Sequence, residues 1–475
     1  MEVAGWLQRA REGLATLDLP GMQDSGILPE RGADFFPVIG YPPLTMFGPM
    51  DQGPLFENFA KRPASPTIGY IHIPFCPSRC TFCHWITKTK SREQEVDDYL
   101  HYLDQEMALY KRNMGLEKIA VRSVLVGGGT PTYLTAKQMV RFLESVNRHF
   151  DLNACTQFSV EAEPTTLLGE EGRAKLQAMK DFGVHRISMG VQSFDDSVLA
   201  YMGRVHSRDD TLRAVEQMRA VGIESIMLDL IYAYPNQTLE MWAQNMLTGV
   251  ALDVDGFQIY RLRVKKHGDR QGKILKVKDR VPERFPEIDE IFLMKYLSGL
   301  ICEEHGFKQL QTRVYVKDET HMSHYLRDWC CDLTDVVGVG VSSWSNLRGV
   351  FSLNVGDANL ENYYNYLREG RVAVNRGKLR TRDDELRRSF VLPLKNTRVS
   401  KAFFTERTGA RVEDCFQHEI DWLKRFGLVD ENATHVWLTR RGRFFADEVS
   451  SQFFNPNYLP FPDVARPPHF QLASA

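Results

Sequence analysis

Between Thr67 and about Arg263 the chain alternates apolar, β-rich runs with amphipathic stretches, and this alternation restricts it to few folds. The runs are Ile68–Ile73, Val121–Val126, Gln157–Glu161, Arg186–Met189, Ile226–Ile231 and Gly256–Leu262. Between them lie stretches of helical period at Glu93–Asn113, Ala136–Phe150, Gly172–Phe182, Asp209–Val221 and Leu239–Leu252. Short apolar runs bounded by turn residues read as strands buried on both faces. Strand, helix, strand repeated this often implies parallel βα units, hence an α/β fold. Six such strands suit an open partial barrel or a doubly wound sheet, and periodicity does not separate the two.

The flanks differ in character. Residues 1–66 read as an irregular N-terminal arm with a short helix near Trp6–Leu17. Pro37, Pro42, Pro43, Pro49, Pro54, Pro63 and Pro66 punctuate it, and Phe35, Phe36, Phe47 and Phe56 are apolar anchors. Residues 67–264 form the core. Residues 265–380 are a mixed extension, with a helix expected over Glu287–Glu304 and one strand over Lys308–Val316. Residues 381–475 read as a C-terminal cap, in which a helix over Val412–Phe426 and a wing over Gly427–Thr439 suggest a winged-helix shape. Arg440, Arg441 and Arg443 invite a nucleic-acid reading, but Glu413, Glu419 and Asp421 on the helix repel phosphate.

Charge and composition remove other classes. A net charge of −2 over 475 residues gives no electrostatic case for nucleic acid or acidic lipid. No apolar run approaches the roughly 18 residues of a membrane span, and the N-terminus lacks a secretion pattern. Eight cysteines in a chain of this length fit a reducing cytoplasm, not a disulfide scaffold. Cys155, Cys302, Cys330, Cys331 and Cys415 share no spacing and read as core or surface thiols.

The other three, Cys76, Cys80 and Cys83, form a Cys-x3-Cys-x2-Cys run directly after the first strand, in Tyr70-Ile-His-Ile-Pro-Phe-Cys-Pro-Ser-Arg-Cys-Thr-Phe-Cys-His84. Three thiolates are one short of the set that a cubane iron–sulfur cluster takes, so one iron stays open to a small chelating molecule. A structural zinc site is the alternative, and it lacks a well-placed fourth ligand. Loops at the C-terminal ends of parallel strands are where α/β folds place their chemistry.

Further candidates follow the next strands. Val126-Gly127-Gly128-Gly129-Thr130-Pro131 can bring backbone close to a ligand. Ser159-Val160-Glu161-Ala162-Glu163-Pro164 places carboxylates at a strand end, with Glu163 read as a solvent-facing loop residue. Asp229 within an apolar strand needs a partner, either a cationic or ribose group of a ligand or the side chain of Arg186. His84 is read either as a contact to cofactor or a proton carrier, or as a loop histidine packed on Trp85.

The cysteine spacing resembles the cluster motif of radical S-adenosylmethionine (SAM) enzymes, and Tyr70-Ile-His-Ile-Pro-Phe resembles the oxygen-independent coproporphyrinogen III dehydrogenase family, from Tyr70 to about Trp344. The resemblance implies a partial (β/α)6 barrel, a [4Fe–4S] cluster on Cys76, Cys80 and Cys83, and two molecules of SAM. It implies that Tyr70, Gly128, Glu161 and Trp344 contact the cluster-bound molecule. Phe82, Gly129, Thr130, Gln192, Arg204, Asp229 and Arg263 would contact the second. His84 and Tyr70 are the candidate catalytic side chains. The partners implied are a small-molecule substrate and a reductant protein such as flavodoxin or ferredoxin, in the cytoplasm.

Porphyrin enzymes of that family carry a fourth cysteine two places after the third, where this chain has Trp85. The Cys80-Thr-Phe-Cys-His-Trp85 run and the Pro-rich arm look closer to the family's methyltransferase and cyclopropanase branch. There a 5′-deoxyadenosyl radical takes hydrogen from the methyl of the second SAM, and the methylene radical adds to an sp2 carbon of a natural product. The alternatives are coproporphyrinogen III dehydrogenation and a haem chaperone of the same family.

Overall fold

The computed structural model describes residues 2–28, 40–60, 66–264, 273–396 and 398–458. Phe35, Phe36, Pro37 and Pro63 of the expected arm lie outside the described residues. Six strands run parallel in sequence order: β1 (Thr67–Ile73), β2 (Ile119–Gly128), β3 (Gln157–Ala162), β4 (Arg186–Gln192), β5 (Ser225–Tyr232) and β6 (Gly256–Arg261). Helices α1 (Glu93–Met114), α2 (Ala136–His149), α3 (Gly169–Asp181), α4 (Arg208–Val221) and α5 (Leu239–Val250) return the chain between them. Thr135, Ser207 and Thr238 cap α2, α4 and α5, each accepting from a backbone N–H of the first turn. Gly115 and Gly222, both left-handed, end α1 and α4.

A doubly wound sheet reverses its strand order at a switch point. Here the order β1-β2-β3-β4-β5-β6 never reverses, so the sheet curls as a partial barrel. It stays open because its ends continue into other strands. Strand β9 (Val336–Val339) adds in parallel to β1, followed by the antiparallel β10 (Trp344–Leu347), β11 (Val350–Asn354) and β12 (Val374–Leu379). On the far side a hairpin, β7 (Lys308–Gln311) and β8 (Val314–Val316), adds antiparallel to β6. The single strand expected over Lys308–Val316 is therefore two strands, reversing at Thr312 and Arg313.

Helix α6 (Ile288–Glu304) packs on α5 and on the N-terminal helix Val3–Ala15, which fastens the arm to the body. The C-terminal part holds α7 (Arg382–Asn396), α8 (Val412–Arg425) and a three-stranded sheet in the order β13 (Arg398–Ser400), β15 (His435–Leu438), β14 (Val429–Glu431). Arg440 pairs with Glu303 at 2.9 Å, and Arg441 donates to the Phe426 and Leu17 carbonyls. No helix among the described residues is long and apolar enough to cross a membrane.

Candidate functional site

Beyond β1 the chain makes Phe75–Cys76, which pairs in parallel with Lys88–Thr89 and closes a loop carrying all three motif cysteines. The loop is fastened to the end of the short helix Asp196–Met202. Thr81 N donates to the Met202 carbonyl at 2.9 Å, and the Ser78 hydroxyl to the Gly203 carbonyl at 2.9 Å. The Thr81 and Tyr234 hydroxyls share a hydrogen bond. Cys76 is buried, and Cys80 and Cys83 are half-buried. Burial pushes the Cys76 thiol up to about 12, partly offset by the Thr130 hydroxyl, which donates to its sulfur at 3.5 Å. Burial raises Cys83 as well.

A second donor reaches the motif from the barrel. Arg204 Nη1 donates to the Cys80 sulfur at 3.3 Å and Nη2 to the Gly190 carbonyl at 2.6 Å. Glu163 lies 3.6 Å from Arg204 and only 3% of it is exposed, so it is not the solvent-facing loop residue expected. Its carboxylate also accepts from Thr165 and faces His206 Nδ1 at 3.0 Å, while His206 Nε2 faces the Val191 carbonyl at 3.1 Å. Hydrogen bonds from His206 and Thr165 and the charge of Arg204 together outweigh burial and lower the Glu163 pKa. The Glu163–His206 pair thus holds Arg204 over the loop, with Arg204 Nε left without a hydrogen-bond partner.

The three glycines at the end of β2 sit where the protein's own packing leaves no room for a Cβ. A Cβ on Gly127 would lie 2.6 Å from the Glu161 carboxylate, one on Gly128 2.5 Å from the His72 ring, and one on Gly129 2.7 Å from the Phe75 carbonyl. Gly128 also sits at φ +110°. The N–H groups of Gly129 and Thr130 donate to the Ile73 and Phe75 carbonyls, each at 2.7 Å. Locking the loop to β1 in this way sets Thr130 against Cys76. Gly128→Ala combines positive φ with a ring clash and should cost about 2–4 kcal/mol. Urea unfolding checks this, and a loss below about 0.5 kcal/mol would contradict the geometry.

Deeper in the barrel, Glu161 and Asp229 face each other. Burial pushes Glu161 up to about 7, with the Asp229 charge adding to it, and burial pushes Asp229 up to about 6. Asp229 accepts from the Ser188 hydroxyl at 2.9 Å and from Gln258 Nε2 at 3.1 Å. Gln258 in turn accepts from the Tyr260 hydroxyl at 2.9 Å. Arg186 makes no direct ion pair with Asp229. It is 2% exposed, its Nε and Nη2 have no hydrogen-bond partner, and it acts on both carboxylates through its charge. Folded-state values above the unfolded carboxylate range make the pair least costly below about pH 4, with stability lost as pH rises through about 6 and 7. Asp229→Asn should therefore gain stability relative to the parent chain as pH rises from about 4 to 7. Paired urea titrations across that range test this, and a pH-independent difference would refute it.

Tyr70 and Trp344 are brought together, their rings stacked at 6.3 Å. The Tyr70 hydroxyl meets His72 Nδ1 at 3.0 Å. Gln192 ends β4 at φ +68°, over Gly190. Phe82 points its edge at Tyr234 and packs with Leu262 and Ile274. His84 Nε2 donates to the Arg263 carbonyl at 3.0 Å. The ring near Trp85 is His72, at 6.1 Å, not His84. Burial lowers the Arg263 pKa. Sequence reasoning missed His206, Gln258 and Tyr260. Of these, His206 had a signal in its place two residues after Arg204.

Among the described residues no group of three or more His, Cys, Asp or Glu gathers on one point as a single ion needs. A cubane spreads its thiolates over separate irons, and Thr130 and Arg204 aim donors at two of the sulfurs, which is how surrounding groups tune such clusters. The residues fit the cluster.

A partial (β/α)6 barrel with three cysteines on the loop after its first strand defines a radical SAM protein. Residues 70–247 match the Radical SAM superfamily and residues 381–445 the HemN C-terminal domain. The heme chaperone HemW of Bacillus subtilis is 30% identical over 81% of this chain and 98% of its own length. The oxygen-independent coproporphyrinogen III oxidase of Pseudomonas aeruginosa is 27% identical over 88% and 92%. The solved coproporphyrinogen III oxidase HemN of Escherichia coli superposes with a TM-score of 0.75 at 24% identity, over 87% of this chain and 96% of that one. The chain belongs to the HemW/HemN family of the radical SAM superfamily, whose cofactors are a [4Fe–4S] cluster and SAM. These relatives overturn the expected methyltransferase or cyclopropanase: proteins matched along nearly their whole length are haem chaperones and coproporphyrinogen oxidases. Trp85 in place of a fourth cysteine does not mark a methyl-transfer branch.

Proposed function

We propose that the chain is a cytoplasmic radical SAM protein of tetrapyrrole metabolism that binds haem as a chaperone, beside its cluster and SAM. The observation that carries this is Trp85. It replaces the fourth cysteine, is 48% exposed, and lies against His72 next to the cluster loop. Val205, 52% exposed, follows Arg204, whose guanidinium touches Cys80. Exposed apolar side chains beside the cluster loop suit the face of a flat macrocycle. The whole-length similarity to the Bacillus chaperone supports the same reading.

In this reading Cys76, Cys80 and Cys83 hold the cluster. Tyr70, Gly128, Glu161 and Trp344 line the first SAM site. Phe82, Gly129, Thr130, Gln192, Arg204, Asp229 and Arg263 line a second. The bound cofactors supply one-electron chemistry, with a flavodoxin or ferredoxin as electron source and a small molecule as target. His84 acts as a positioning residue by holding the Arg263 backbone, while Tyr70 orders the pocket wall through His72 and Trp344.

A second reading, coproporphyrinogen III oxidation, is favoured by the Pseudomonas oxidase, which matches this chain over 446 residues, 92% of its own length. Anaerobic protein loaded with cluster separates the two. Stoichiometric haem binding seen in the visible spectrum, without loss of carbon dioxide from coproporphyrinogen III, supports the chaperone. Decarboxylation supports the oxidase, and neither behaviour would refute both.

A further inference from the structure

A cleft of about 510 Å³ lies away from the cluster loop, between the hairpin β7–β8 and the C-terminal sheet. One wall is the turn end of β7, and the other is Arg398 of β13 with His435, Trp437 and Leu438 of β15. Among the described residues strand β7 is the last strand of the large sheet and pairs only with β8, and β13 is the outer strand of the small sheet and pairs only with β15. Terminal strands of this kind are templates for a further strand unless charge or cover blocks them.

Gln311, at the end of β7, lines the cleft and is 1% exposed, yet among the described residues neither its Nε2 nor its Oε1 has a hydrogen-bond partner. Leaving both ends of a buried amide unsatisfied is costly, and the group that matches donor and acceptor together is another amide, such as a peptide bond. Across the cleft Arg398 and Trp437 stand opposite each other in the β13–β15 register, on one face. Arg443 and His435 complete that side. Arg398 and Arg443 are exposed and make no ion pair among the described residues, and the cleft lining contains no carboxylate.

We propose that this cleft docks an extended, acidic segment of a partner protein, added as a strand to β7. Gln311 would pair with its backbone, Trp437 would pack an apolar side chain, and Arg398 and Arg443 would meet its carboxylates. The proposal is independent of what the barrel binds.

The test uses the full chain with its cluster loaded and a short fluorescein-labelled peptide of alternating aspartate and valine. Saturable binding by anisotropy is expected. Affinity should fall about tenfold or more in the Arg398→Glu, Arg443→Glu double variant, both residues being exposed and outside the core. Amide exchange across Lys308–Gln311 should slow when the peptide binds, and Gln311→Met should weaken binding without altering the visible spectrum of the cluster. Absence of binding, equal binding of a lysine–valine peptide, or displacement by inorganic phosphate without protection of β7 would overturn the proposal.

Discussion

Replacing Cys80 by alanine is expected to abolish the cluster while leaving the barrel folded. Iron and sulfide after anaerobic reconstitution should fall to background and the brown visible absorbance should vanish. Urea stability of the unloaded chain should stay within about 1 kcal/mol of the parent, as for a substitution outside the core. Cys80 is half-buried on a loop held by Ser78, Thr81 and Cys83 backbone or side-chain bonds that do not involve its sulfur. Among the described residues the Cys80 sulfur accepts only from Arg204, and that arginine keeps Gly190 and Glu163 when the sulfur is gone. Elemental analysis, visible spectra and urea titration check all three statements. Retention of a full complement of iron in Cys80→Ala would mean that the run does not hold a three-thiolate cluster.

Much of the barrel was legible because its strands are buried on both faces. Every residue of Thr67–Ile73 is buried and the run is apolar but for Thr67 and His72, while Ser225–Tyr232 is apolar but for Ser225 and Asp229. The helices announce themselves through caps at Thr135 and Ser207. The hairpin Lys308–Val316 was not legible because its reversal at Thr312 and Arg313 uses neither glycine nor proline, the residues that usually mark a turn. Triple glycine was legible as a special backbone, but not its reason. The missing Cβ atoms make room for Glu161, His72 and the Phe75 carbonyl rather than directly for a ligand.

Partnerships far apart in sequence were the least readable part of the site. Glu163 alone looks like a loop carboxylate, and only the fold brings His206, 43 residues on, to within 3.0 Å. Arg186 and Asp229 look like a pair on adjacent strands, yet the strand register sets Asp229 beside Gly190 and gives it Ser188 and Gln258 instead. The specific reaction was misread at Trp85 for a related reason. A missing cysteine says which ligand is absent, whereas the exposure of the replacing ring against His72 bears on what the surface can bind.

Asp447→Asn is expected to be the most damaging single change outside the barrel. Asp447 is 3% exposed and lies 2.8 Å from Arg313, which the hairpin supplies, and 2.7 Å from Lys395 at the end of α7. The two cations outweigh burial and hold its carboxyl far below the usual carboxylate range. Removing the charge leaves the buried Lys395 and the half-buried Arg313 without this counter-charge, a defect that costs about 3–5 kcal/mol when one member of a buried pair is lost. A folded-state value below the unfolded one contributes stability that is complete above about pH 4 and disappears as pH falls below it. The deficit of Asp447→Asn should therefore be full at neutral pH and shrink in acid. Lys395→Met in the same chain should recover part of it, because one of the two cations hydrogen-bonded to Asp447 is then gone, and the double-mutant cycle measures that coupling. Urea titrations of the four proteins at neutral and acidic pH decide the matter. A loss near zero at neutral pH, or one that does not shrink in acid, would show that this charge does not join the hairpin to the C-terminal helices.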